Sequence, residues 1–247
     1  RLPDLTHRPL PLRSVDTGMG LERTAAVLQD VPSVFETDLF AGAQTRLAEL
    51  APPGVASGGA VPDGLVHGDL TPDALREPRA RRMIVDHARA VLLAGLSGVV
   101  PGPDGRGSVL RRLIRRAARQ GHVLGIERPF LRELLPPLVA AHGPLLSADE
   151  RARVAALGDL VAEEEARFSR VLTAGLRELG RLRPGPDGLV PGARIFALHA
   201  ARGFPADLAG EILAERGLTV DWPGYERALE EHRVVSRASV ETRFRGG

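Results

Sequence analysis

The 247-residue sequence contains no cysteine, no lysine and no asparagine, and only nine aromatic side chains. Without cysteine it has no disulfide framework, no thiolate nucleophile and no Cys/His zinc set. No apolar run approaches the about 18 residues needed to cross a bilayer. The Arg-led, Pro-broken first residues also lack the apolar core of a secretory signal. These absences exclude a membrane protein and a disulfide-stapled secreted domain, and predict a soluble, cytoplasmic one. At this length, one large or two smaller cores can form without metal or disulfide support.

The charge that is present is unusual in kind. Basic residues number 33 against 31 acidic, a formal net charge of +2, yet the sequence pI is near 10.1 because every basic residue is arginine. A GC-rich genome accounts for this bias and for the absence of asparagine. The guanidinium fork still grips phosphate bidentately wherever it clusters.

Hydrophobic periodicity predicts a mostly helical chain. Leu10 to Asp30 reads as a short strand, a glycine turn at Asp16-Thr17-Gly18-Met19-Gly20, and a helix with Leu21, Ala25, Val27 and Leu28 on its apolar side. A second helix follows a Thr37 cap and ends before the Pro/Gly-rich passage from Pro52 to Asp63. Thr71-Pro72 opens another helix, which ends near Gly95. Later helices are expected over about Gly107–Gln120, over Phe130–His142 with a Pro136-Pro137 interruption, and from the Ser147–Glu150 capping box to about Leu182. Further helices pass through Ile195–Leu198, Asp207–Arg216 and Tyr225–Val235, with a Gly203-Phe204-Pro205 turn between the first two. Strand signals are scarce after residue 40, and there is no internal repeat.

On the helix near Gly107, Arg111, Arg115, Arg119 and His122 fall within one narrow arc, with Arg112 and Arg116 beside it. No acidic residue lies between Arg106 and Gly125, so the helix itself supplies a purely cationic face. Codon bias alone could leave such a face exposed. A helix laid along a nucleic-acid backbone is the functional reading, favoured because faces elsewhere in the chain are of mixed sign. The Gly18–Gly20 turn could hold a nucleotide or carboxylate on its backbone N–H groups, with Arg23 adding charge. By pattern alone an ordinary strand-to-helix turn comes first. Glu163-Glu164-Glu165 occupies three successive helix positions that do not converge, and reads as a solvated face. His87 reads as a satisfied core residue. The seven histidines show no metal-ligand spacing and there is no nucleophile elbow, so no metal site is expected.

Read together, these segments resemble the alanyl-tRNA synthetase family. Ser14 to Gln29 is similar to the family's motif 3 almost residue for residue. Thr37–Phe40, Val85–Arg89, Gly105–Ala117, Glu163–Phe168 and Gly203–Leu208 resemble further landmarks in the family's order. The resemblance covers nearly the whole chain. It implies a mostly α fold: a small strand, glycine-turn and helix remnant of a class II synthetase catalytic domain over residues 1–50, a linker at 51–65, and a helical tRNA-recognition domain over 66–247. Motifs 1 and 2 and the editing domain of the family have no counterpart in this stretch, so ATP-dependent activation and editing are not expected of it.

The resemblance also implies roles. Asp16 pairs with the substrate α-amino group, Thr17, Gly18 and Gly20 lie against the aminoacyl-adenosine, and Arg23 contacts the nucleotide. Arg106, Arg111, Arg112, Arg115, Arg116, Arg119 and Arg202 hold the tRNA acceptor stem. In the family an asparagine and an aspartate read the wobble G·U pair of alanine tRNA. Their places are taken here by Pro103 and Ala200, whose side chains make no base-edge hydrogen bond, and a tyrosine is replaced by Arg202. The expectation is tRNA binding without the alanine identity rule. The functional expectation is a tRNA-dependent aminoacyltransferase, with aminoacyl-tRNA as co-substrate, a small-molecule acceptor and no other cofactor. His199 is its candidate base by position only, and Asp16 and Arg23 complete the catalytic set. The alternative is a non-catalytic tRNA-binding module or the recognition half of a split synthetase.

Overall fold

A computed structural model describes residues 17–52 and 76–244. The expected strand before Thr17, Asp16 itself, most of the linker and the Thr71-Pro72 helix start lie outside the described residues. Among the described residues the fold is mostly helical, as the periodicity predicts. The helices are α1 (Leu21–Leu28), α2 (Asp38–Leu50), α3 (Arg76–Leu96), α4 (Gly105–Val123), α5 (Leu135–His142), α6 (Ala148–Arg181), α7 (Gly192–Arg202), α8 (Ala206–Ala214) and α9 (Trp222–Phe244). Two short strands, β1 (Leu189–Val190) and β2 (Thr219–Val220), pair in parallel, and periodicity gives no sign of them.

Local chemistry sets several boundaries. The α6 capping box forms as expected: Ser147 Oγ accepts from the Glu150 N–H at 3.2 Å, and Glu150 accepts from the Ser147 N–H at 2.8 Å. Thr37 stands at the α2 cap position, but its hydroxyl donates back to Val34 O at 2.7 Å. Gln29 serves the helix start instead, its Oε1 accepting from Asp38 N–H at 3.0 Å. The two prolines at 136 and 137 do not interrupt a helix. They sit in the first turn of α5, where a missing N–H costs nothing, and a 3-10 turn over Leu131–Leu134 precedes them.

A continuous core joins these elements. α3 and α4 pack along each other through Ile84, Val91, Leu110 and Ile114, and the long α6 crosses both with Leu157, Val161 and Phe168. Each such side chain contributes about 1.5–3 kcal/mol on burial. The expected apolar side of α1 is not core. Leu21, Val27 and Leu28 are exposed and only Ala26 is buried. The Glu22–Arg89 ion pair ties α1 to α3.

The Gly-Phe-Pro turn orients α7 and α8. Gly203 ends α7 at φ +68°, a left-handed conformation that glycine adopts at least cost. Phe204 is then buried against Gly175 of α6, where an added Cβ would lie 2.1 Å from the ring. Pro205 starts α8. α7 and α8 therefore stand at fixed positions beside α4 and α6.

Candidate nucleic-acid interface

The arginine helix is not a free cationic face. Neighbouring helices answer five of its guanidinium groups, which corrects the expectation drawn from the helix alone. On the α6 side, Arg111 and Arg115 donate from Nε to one Glu164 oxygen at 3.2 and 2.8 Å. On the α8 side, Arg112 pairs with Asp207 at 3.2 Å, Arg116 with Glu211, and Arg119 with Glu215. The narrow arc singled out by periodicity proves the more enclosed one. Arg115 and Arg119 side chains are 17% and 7% exposed, against 57% for Arg112. Arg106 is exposed near the helix start.

The acidic triplet on α6 also departs from the solvated reading. Glu163 is exposed, but Glu164 and Glu165 are buried. Glu165 accepts the N–H groups of Phe130 and Leu131 at 3.0–3.1 Å and so anchors the turn before α5. Burial pushes its carboxyl up to about 7, against the opposing pull of those N–H groups. The α4 helix brings Arg111 and Arg115 to Glu164, and the turn before α5 brings its N–H groups to Glu165.

Between α4, α6, α7 and α8 lies a cleft of about 700 Å³. Arg111, Arg112, Arg115, Arg116, Arg167 and Arg202 line it, and Asp207 is the one acidic residue in its wall. The loop before α4 brings Pro103 to the same cleft, held by a Gly102 N–H bond to Gly107 O at 3.2 Å. Ala200, exposed on α7, is not part of this wall. Most of the arginines are held from behind. Arg111 and Arg115 spend Nε on Glu164, Arg115 also stacks 5.4 Å from the Phe168 ring centre, and Arg202 pairs with Glu178 at 2.7 Å. A guanidinium has five N–H donors, so each retains donors for a ligand while its position is fixed.

Of the residues expected to act chemically, Arg23 and His199 are not brought together. Thr17, Gly18 and Gly20 form an exposed extended approach to α1, and Arg23 is exposed with no acidic partner among the described residues. His199 is instead at the α4–α8 cleft, whose wall contains no residue of α1. Its Nδ1–H donates to Phe204 O at 3.1 Å. His87 contacts Asp86 at 3.3 Å, while its buried Nε2 has no partner, so it is only partly satisfied. Among the described residues no group of three His, Asp or Glu is placed to hold a metal, and no helix is long and apolar enough to cross a membrane.

Comparison with known proteins bears on this geometry. The family model for tRNA synthetases class II (A) matches residues 1–245. The alanine–tRNA ligase of Xanthomonas axonopodis pv. citri (strain 306) is 40% identical over 247 residues, all of this chain and 25% of that protein. The alanine–tRNA ligase of Xylella fastidiosa (strain 9a5c) is 39% identical over 240 residues, 97% of this chain and 25% of its own length. The chain spans about a quarter of the length of these curated relatives. A match along nearly its whole length shows that the chain belongs to the class II (A) tRNA synthetase family.

Proposed function

We propose that this chain binds tRNA, and that the α4–α8 cleft takes the acceptor-stem backbone. The observation that carries the reading is six arginines and one carboxylate in the wall of a single cleft. Phosphate contacts of this kind fix register without reading sequence. Pro103 in that wall offers no side-chain hydrogen bond, and Ala200 offers none where the family pattern has an aspartate. Binding is therefore proposed to be indifferent to the wobble pair that marks alanine tRNA. Titrating the protein with alanine tRNA, and with the same tRNA carrying a Watson–Crick pair at that step, tests this. Equal affinities support the reading, and a preference of tenfold or more for the wobble form contradicts it.

A second reading rests on the glycine turn. Thr17, Gly18 and Gly20 are exposed at the start of α1 beside Arg23, which has no acidic partner among the described residues. With Asp16 on the α-amino group, this segment would receive the aminoacyl end of a charged tRNA, and the aminoacyl group would pass to the amine or hydroxyl of a small-molecule acceptor as the ester bond breaks and the tRNA leaves with its ribose hydroxyl reprotonated by the acceptor's proton. The ester is already activated, so the transfer needs no ATP. His199 lies in the cleft rather than at this turn, and is assigned to RNA contact. The test is release of label from radiolabelled aminoacyl-tRNA into an acid-soluble product other than the free amino acid. Label that stays on tRNA in the presence of a metabolite extract favours the binding module.

A further inference from the structure

Past Arg202 the surface carries a second basic hollow, of about 840 Å³, between the last turn of α6 and the outer side of α7. Arg181, Arg183, Arg194 and Arg202 line it. Its one carboxylate, Glu178, is already engaged by Arg202 through Nε and Nη2 at 2.8 and 2.7 Å. Arg181 and Arg194 have no acidic partner among the described residues. Arg183 spends Nη1 on the carbonyls of Gly180 and Leu182, at 3.0 and 2.9 Å. The contrast with α4 is direct, since there every arginine from 111 to 119 meets a carboxylate.

Local structure explains only part of this cluster. Arg181 and Arg183 stand at the C-terminus of α6, where positive charge is favoured by the helix dipole. Arg194 is in the first turn of α7, where the same effect opposes it. Three guanidinium groups therefore share one hollow without an acidic pairing partner among the described residues, and one of them is at the unfavourable end of its helix. An external anion relieves both terms. Arg202 lines this hollow and the α4–α8 cleft alike, so the two basic surfaces join over the end of α7. A ligand with charge repeated along its length fits such a track better than a small convergent anion.

We propose that the hollow is a second phosphodiester-binding site, which continues the RNA path from the cleft across Arg202 to Arg181, Arg183 and Arg194. The proposal rests on the RNA reading of the cleft.

The test uses the full chain and compares the wild type with R181A/R183A/R194A. A control, R79A/R151A/R153A, removes the same charge from exposed positions outside both basic surfaces. tRNA affinity is measured across a salt series, with melting curves to confirm folding. The expected result is a loss of about tenfold or more for the hollow variant at low salt, with a log–log salt slope shallower by about 1 for each arginine engaged. The control should keep the wild-type affinity and slope. An unchanged hollow variant, or an equal loss in the control, overturns the proposal while leaving the cleft reading in place. Loss of poly-glutamate binding with tRNA binding intact would assign the hollow to an acidic peptide and overturn it too. Absence of tRNA binding by the wild type would overturn the cleft reading and this one together.

Discussion

Arg115 donates its Nε–H to Glu164 at 2.8 Å, while Arg111 reaches the same oxygen at 3.2 Å from one turn earlier. Glu164 is 4% exposed, so the pair locks α4 to α6 from inside the fold. Glu164→Ala would leave two partly buried guanidinium groups facing each other without a counter-charge. Loss of one partner of a buried pair costs about 3–5 kcal/mol. Urea unfolding at neutral pH should show a loss of that order, with Glu164→Gln milder because its amide oxygen still accepts. A loss under about 1 kcal/mol would show that Glu164 does not lock the helices.

The α8 carboxylates hold the same kind of partner in a different setting. Asp207 and Glu211 are 43% and 40% exposed, so their pairs with Arg112 and Arg116 contribute about 1 kcal/mol or less each. They occupy donors that RNA phosphate would use. D207N/E211Q should leave stability nearly unchanged and tighten tRNA binding several-fold, with a steeper salt slope. Weaker binding would mean that the carboxylates position the arginines for RNA rather than compete with it.

Gly175 on α6 is where Phe204 enters, and a methyl group there would meet the ring at 2.1 Å. Gly175→Ala should destabilise the fold by about 1–3 kcal/mol, since overpacked cores shift side chains and backbone. Phe204→Leu in the same chain should recover part of the loss. Additive losses in the double variant would contradict the contact, and thermal melting distinguishes the two outcomes.

The helices, the α6 capping box and the Gly-Phe-Pro turn were legible because local periodicity and cap chemistry specify them. The ion-pair ladder was half legible. Arg112, Arg116 and Arg119 lie at helical spacing, and so do Asp207, Glu211 and Glu215, so two complementary faces can be read from the chain. That they meet depends on the turn at Gly203 and on the packing of Phe204, which periodicity does not reach. Glu164 and Glu165 were hidden for the same reason. The exposed Leu21, Val27 and Leu28 show the converse, an amphipathic pattern that no other described element covers.

Glu165 gives a pH signature. Its folded carboxyl is raised from 4.5 to about 7, so the folded chain holds this proton more tightly than the unfolded one. Its contribution to stability is therefore full below about 4.5 and falls as pH rises through about 7, by up to about 3 kcal/mol. Glu22 and Glu133 are lowered by their arginine partners, and they act in the opposite direction at more acidic pH. Glu165→Gln should gain stability relative to wild type between pH 5 and pH 7.5. A difference that is the same at both would contradict the assignment.

The central claim is that the cleft binds tRNA through its arginines, and Arg112, Arg116 and Arg202 test it with least risk to the fold because their carboxylate partners are themselves partly exposed. The measurement is tRNA affinity of wild type and R112A/R116A/R202A across a salt series. Wild-type binding should be salt-dependent, and the variant should lose affinity uniformly across tRNA species with a shallower slope. A variant that binds as tightly as wild type, with the same slope, would contradict it.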